Sequence, residues 1–189
     1  MAKERLKSPR ARLFVALDLP EIARAGLVAW RATALRGHSG LREVAPESLH
    51  VTLAFLGYRP EEEVPAIGEA VTRAVAGLPR ARLRPLRAVG VPPRRPRLFA
   101  LDLEDHGGRA AAIQAAVADA LQADGFFEAE KRPFWPHLTF ARVGRGVRAE
   151  AVTVAPPDAP FEAREVTLYR SRLSPRGARY EGLRTERLG

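Results

Sequence analysis

An α+β fold assembled from a duplicated half-domain is what this sequence predicts, on three observations. The stretch RLFVALDLP at Arg12–Pro20 returns as RLFALDLE at Arg97–Glu104. Each copy is followed by a helix-like segment and then by a strand-like run carrying His-x-Thr, first at His50–Thr52 and again at His137–Thr139. The hops between strands and helices are short, which suits lobes with antiparallel sheets rather than a parallel sheet threaded by long crossovers. With only two copies, this is a pseudo-symmetric pair and not a solenoid.

The elements follow in order. Residues 1–11, in the basic MAKERLKSPRAR, read as a solvated, flexible tail ahead of a single domain at 12–189, with halves at about 12–91 and 97–189. Residues 12–18 alternate as a half-buried strand, and a helix opens at Pro20 and closes near Gly37. After the first His strand, RPEEEVPAIGEAVTRAVAGLP places acids in a first helical turn and spaces Val64, Ile67, Val71 and Val75 at helical intervals. A strand in ARLRPLRAVGVPP follows. The second half repeats the scheme: a strand at 97–104, the turn DHGG, and a helix with Ile113, Val117, Ala120 and Leu121 on one face. A strand around 136–142 comes next, then REVTLYRSRL and ARYEGLRTERL as closing strands. VPPRRPR and APPDAP read as proline-rich connectors within the domain, not as linkers between domains.

Composition narrows the function classes. The chain of 189 residues is long enough to bury a substantial core. No apolar run approaches the ~20 residues that cross a bilayer, and no signal-peptide pattern opens the chain, so a membrane partner is not expected. Absence of cysteine excludes disulfides and thiolate metal sites and is compatible with a cytoplasmic protein. The net charge of +9 is carried almost entirely by arginine, whose planar fork suits phosphate oxygens. A compositional bias favouring arginine over lysine would give the same count, so charge alone leaves a phosphate or RNA partner open.

Two of the four histidines stand in His-x-Thr. Side chains at i and i+2 of a strand share a face. His50 and Thr52 therefore project together, with Val51, Leu53 and Phe55 on the opposite, core-facing side. His137 and Thr139 share a face opposite Leu138 and Phe140. One such pair is an ordinary half-buried strand histidine beside a favoured strand former. Two in matching repeat positions point to a shared site. If the lobes face each other across an approximate two-fold axis, the imidazoles approach one ligand from opposite sides. Displacement at phosphorus needs that: a base where the nucleophile enters and an acid where the leaving oxygen departs. An unperturbed pKa of ~6.5 lets one histidine be neutral and the other protonated near neutral pH. Each threonine hydroxyl can donate to a non-bridging oxygen. Two histidines could instead ligate zinc, but neither motif supplies a third ligand at metal spacing. His38 and His106 lie in turn-like sequence and read as loop residues, and no Walker or Rossmann fingerprint occurs.

RLFVALDLP, LHVTLAFLG, PHLTFARV and LYRSRLSPRGARYEGL together resemble the LigT-like branch of the two-histidine phosphoesterases, the RNA 2′,3′-cyclic phosphodiesterases also named 2′-5′ RNA ligases. The resemblance covers nearly the whole chain after the tail. It implies a bilobal duplicated fold, with outer helices, whose two antiparallel sheets flank a central cleft lined by both motifs. It also implies metal-independent, cofactor-free opening of a 2′,3′-cyclic phosphate at an RNA or nucleotide end to a 2′-phosphate, and joining or cleavage of 2′-5′ linkages in tRNA halves. On it His50 and His137 are catalytic and Thr52 and Thr139 bind phosphate; the resemblance favours His137 as base and His50 as acid, while the pseudo-symmetry of the sequence leaves the reverse order open. It places a substrate-contacting aromatic at Phe14 and a phosphate- or ribose-contacting arginine at Arg142. Strict alternation sends Arg142 to the face opposite His137, so it reaches substrate only if the strand twists, bulges or ends there. For Phe14 a core role is equally open, and Tyr169, Arg170 and Tyr180 read as structural or rim residues. Phe140 departs from the family's usual aliphatic residue, on the core side. A monomer is expected. An RNA-end or phosphate-binding module without turnover is the reading from another class.

Overall fold

The computed structural model describes residues 9–128, 132–174 and 177–189. In chain order the elements are β1 (Arg10–Asp18), α1 (Glu21–Ala34), β2 (Leu41–Glu43), β3 (His50–Pro60), α2 (Val64–Val75), β4 (Ala81–Val91), β5 (Leu98–His106), α3 (Arg109–Ala123), β6 (His137–Val143), β7 (Phe161–Ala163), β8 (Glu165–Ser174) and β9 (Gly177–Arg187). They form an α+β fold with two antiparallel sheets, ordered β3-β1-β8-β9 and β2-β6-β5-β4-β7. The repeated RLF strands, β1 and β5, lie inside their sheets, and each His-bearing strand, β3 or β6, pairs directly with one of them.

Of the expected tail, residues 1–8 lie outside the described residues, while Arg10 and Ala11 already pair with Pro60 and Arg59. The expected halves also need correction, because the lobes are not contiguous in sequence. β4, placed in the first half, pairs with β5 along its length, from Arg82 opposite His106 to Val91 opposite Leu98. β8, placed in the second half, pairs with β1. The short proline-rich connector makes β4 and β5 a hairpin, and β8 covers the edge of β1 that β3 leaves open. An uncovered edge there would leave a row of unpaired backbone groups. The sheets thus match as β8-β1-α1-β3 and β4-β5-α3-β6, a circular rearrangement of one unit.

Burial follows the predicted faces in part: β1, expected to be half-buried, also buries Phe14 and Ala16 on its other face, and Val64 and Ala120 are only partly buried. Leu13, Val15 and Leu17 of β1, Leu101 of β5 and Leu138 of β6 are fully buried. The helices add Ile67, Val71 and Val75 from α2, and Ile113, Val117 and Leu121 from α3. All join one continuous apolar core. Each such side chain contributes about 1.5–3 kcal/mol by leaving water. The helices bind the lobes together: α3 packs on α2 and touches β3 as well as β4 and β5. Trp30 of α1 meets Phe140 of β6 edge-on at 5.0 Å. Asp105 anchors the start of α3 by accepting the backbone N–H groups of Ala110 and Ala111, both at 2.9 Å.

One irregularity, repeated, positions the site. Along β1 and β3 the register jumps from Ala16 opposite Thr52 to Val15 opposite Ala54, leaving Leu53 unpaired. Along β5 and β6 it jumps from Ala100 opposite Thr139 to Phe99 opposite Ala141, leaving Phe140 unpaired. These β-bulges fall at the same place after each His-x-Thr. Two consecutive residues, Leu53-Ala54 and Phe140-Ala141, therefore both face the core, and the next side chain returns to the histidine's face. Phe55, expected in the core, is 45% exposed as a result.

Candidate active site

β3 and β6 approach each other, and a cavity of ≈ 570 Å³ opens between the sheets. His50, Thr52, His137, Thr139, Phe14 and Arg142 all line it. The bulge at Phe140 supplies the turn of the strand that Arg142 needs to reach this face.

Each imidazole is oriented by the backbone two residues before it. Nδ1–H of His50 donates to the Ser48 carbonyl at 2.8 Å, and Nδ1–H of His137 donates to the Trp135 carbonyl at 2.8 Å. Carbonyls accept only, so both rings carry their proton on Nδ1 when neutral and keep an Nε2 lone pair. The Thr52 hydroxyl donates to Nε2 of His50 at 3.1 Å.

Behind the rings the lobes differ. His50 sits against Phe14 at 4.8 Å and meets Tyr180 edge-on at 5.3 Å. Phe14 stacks on Tyr169 at 5.2 Å and takes the edge of Tyr180 at 4.8 Å, and it is only 4% exposed. Its faces are occupied, so Phe14 is a wall behind His50 and not a free platform for a base. The wall is pinned because the Tyr169 hydroxyl donates to Asp18 at 2.6 Å, and Thr167 donates to the other oxygen of the same carboxylate. Burial lowers the pKa of His50 to about 4, against the opposing Ser48 hydrogen bond, and the charges of His137 and Arg142 push the same way. His137 instead stacks on the Trp135 indole at 4.2 Å. That indole N–H donates to Asp102 at 2.8 Å, and Asp102 also accepts from Nε of Arg87 at 3.1 Å.

The cavity contains residues the sequence did not single out. Phe55 stands at its edge with the Arg12 guanidinium 4.5 Å over its ring. Its signal was present: superposing LHVTLAFLG on PHLTFARV pairs Phe55 with Arg142. Trp135 precedes His137 by the interval at which Ser48 precedes His50. Tyr180, read as structural or rim, lines the cavity. Arg42 of β2 stands opposite Arg142 in register. Buried Arg31 on α1 pairs with Glu43 at 2.8 Å and donates to the Val44 carbonyl, holding the segment ahead of His50 in place. Arg170 lies outside the cavity and is ion-paired with Glu61 at 2.9 Å. His38 and His106 do not line the cavity either. Among the described residues no group of three or more His, Cys, Asp or Glu side chains could hold a metal ion.

Comparison with known proteins places the chain among relatives. The family model of the 2′-5′ RNA ligase superfamily matches residues 20–174. An RNA 2′,3′-cyclic phosphodiesterase of Thermus thermophilus is 38% identical over 181 residues, covering 89% of this chain and 86% of that protein. One from Escherichia coli is 34% identical over 191 residues, covering 92% and 94%. The crystal structure of E. coli LigT complexed with 3′-AMP superposes with a TM-score of 0.77 at 30% identity, covering 95% of this chain and 99% of that one. With the match extending over most of its length and through both histidine strands, this chain belongs to the 2′-5′ RNA ligase superfamily.

Proposed function

We propose that this protein hydrolyses 2′,3′-cyclic phosphate ends of RNA or nucleotides to 2′-phosphomonoesters, using His50 and His137 as a general acid–base pair. The observation that carries the proposal is that two Nδ1-anchored imidazoles line one cavity from facing sheets, each with a threonine on its own face. A water attacks phosphorus and gives its proton to one imidazole. The P–O3′ bond breaks, and the departing oxygen takes a proton from the other. Thr139 donates to a non-bridging oxygen, Thr52 does so once its hydroxyl turns away from Nε2 of His50, and Arg142 offsets the charge that gathers there. Phe55, beneath Arg12, offers the nucleobase a stacking surface. A 5′-hydroxyl in place of water would form a 2′-5′ linkage, as with the ends of cleaved tRNA. Both motifs sit in one chain, so a monomer suffices, and a cytoplasmic location is part of this proposal.

Two orders of acid and base fit this frame. The family resemblance favours His137 as base and His50 as acid, in which case the bound phosphate anion must raise the His50 pKa before turnover. The burial of His50 favours the reverse, since a ring with a pKa of about 4 enters the cycle as a proton acceptor. The test of the function itself is hydrolysis of 2′,3′-cyclic AMP in EDTA across pH, with single and double His→Ala variants. Turnover that is lost in the variants supports the reaction. Absence of turnover, with RNA ends still bound, would leave a binding module, and loss of activity in EDTA would implicate a metal.

A further inference from the structure

Several arginines on and around the β3-β1-β8-β9 sheet are ion-paired: Arg59 with Glu63, Arg170 with Glu61, Arg172 with Glu181, and Arg184 with Glu186. At one end of the other sheet a group of arginines is not. Arg94, Arg95 and Arg97 in the β4–β5 connection, and Arg145 and Arg148 after β6, are all exposed, and among the described residues none has an ion-pair or side-chain hydrogen-bond partner. Neither 92–97 nor 142–148 contains a carboxylate.

The backbone brings these two segments together at the end of the sheet, next to Arg142 of the cavity wall. Val143 N–H donates to the Arg97 carbonyl at 2.9 Å, and Gly144 N–H to the Gly40 carbonyl at 2.8 Å. Leu98 stands opposite Arg142, which stands opposite Arg42, so the arginine-bearing segments adjoin the two arginines of the cavity wall. Both loops are packed tightly. A Cβ on Gly90 would lie 2.6 Å from Pro96, and one on Gly144 would lie 2.9 Å from the Gly40 carbonyl oxygen. The arginines are therefore presented on pre-organised backbone, which reduces the ordering cost of binding. Uncompensated like charges held side by side repel one another, and a polyanion relieves that repulsion.

We propose that segments 92–97 and 144–148 form a phosphate track for the RNA strand leading to the cyclic end, so that the preferred substrate is an oligonucleotide and not a mononucleotide. This rests on the function proposed above. A cyclic-phosphate terminus in the cavity has only one continuation, through its 5′-phosphate. The track begins where Arg42 and Arg142 end.

The experiment compares 2′,3′-cyclic AMP with an oligoribonucleotide of about ten residues bearing a 2′,3′-cyclic phosphate, a length typical of single-strand sites. It uses the full chain and the variant Arg94→Gln/Arg95→Gln/Arg145→Gln/Arg148→Gln, after thermal unfolding shows that the variant folds. The intact protein should have the lower KM for the oligonucleotide. The variant should raise that KM about tenfold to hundredfold and flatten the slope of log(kcat/KM) against log[salt] by about 2–3, while hydrolysis of 2′,3′-cyclic AMP stays unchanged. Equal KM values for the two substrates, or an unchanged oligonucleotide KM and salt slope in a folded variant, would overturn the track. Equal losses on both substrates would also overturn it, by showing a general effect on the cavity. Failure of the intact protein to turn over either substrate would instead overturn the proposed function.

Discussion

The two histidine strands share their motif, their bulge and their backbone anchor, yet the rings they present are not equivalent. His50 is enclosed by Phe14, Tyr169 and Tyr180, and burial lowers its pKa to about 4. His137 is stacked on one side by Trp135, itself 36% exposed and tied to a carboxylate. A pseudo-two-fold axis would make base and acid interchangeable. The surroundings break that tie, because the hydrocarbon wall around one ring disfavours its charged form. The two strands supply matching imidazoles, and the apolar residues behind His50 lower its affinity for the proton.

Removing either ring should be the largest perturbation. His50→Ala and His137→Ala are each expected to lower kcat by about 10²–10⁴-fold or more with modest change in KM. A p-nitrophenyl nucleotide phosphodiester then separates the roles, because its leaving group departs without a proton. The variant lacking the acid should recover most of its rate on that ester, and the variant lacking the base should not. Recovery by His50→Ala would establish the order that the family resemblance favours, and recovery by His137→Ala would establish the order that burial favours. Equal recovery by both would break the comparison altogether.

Thr52→Val and Thr139→Val should come next, each costing about 10²–10³-fold in kcat, the range for a lost donor to a developing oxyanion. Thr52 already donates to the His50 ring. Thr52→Val should therefore also displace the pH profile, whereas a residue acting only as a phosphate donor should change the height of the profile and leave its shape. Full pH–rate curves of the two variants would show the difference.

Stability gives a further measure of the asymmetry. With the His50 pKa near 4 in the folded chain and an ordinary value of 6.5 unfolded, the unfolded state binds more protons between those limits. Folding stability should therefore rise as pH increases from about 4 to 6.5, and this group adds no slope above or below that window. Denaturant titrations across the window should show a shallower rise for His50→Gln. An unchanged rise in that variant would mean that the enclosure does not hold the ring neutral.

The histidines and threonines were legible because a strand's period of two, written twice in matching positions, leaves little freedom about which side chains share a face. The bulges were harder to see, although each left a trace. An apolar doublet, Leu53-Ala54 or Phe140-Ala141, interrupts the alternation at the same point in both copies. Taken one at a time, such doublets look like ordinary core sequence, so Phe55 was assigned to the interior and Arg142 required a condition. The make-up of the lobes was not legible at all. Whether β8 pairs with β1 or with a nearer strand depends on an edge that exists only after the sheets form. Phe14 was ambiguous for a related reason: a buried aromatic and a stacking platform look alike until Tyr169 and Tyr180, distant in sequence, are seen to occupy its faces.

The smallest expected effect tests whether the support behind His137 matters beyond packing. Trp135→Phe keeps an aromatic ring to stack on the imidazole but removes the indole N–H that donates to Asp102. Asp102 retains Arg87, so the carboxylate is not stranded. The loss should stay near that of one solvent-accessible hydrogen bond, about 1 kcal/mol, or roughly fivefold in kcat. Trp135→Ala removes the stack as well and should cost more. The backbone carbonyl of residue 135 still accepts Nδ1–H in either variant, so the tautomer of His137 should survive both. A fall with Trp135→Phe as large as with Trp135→Ala would mean that the Asp102 link, and not the stacking, holds the ring. The two lobes would then differ in principle: one imidazole set by an apolar wall, the other by a chain of polar contacts running from Arg87 through Asp102 to the indole.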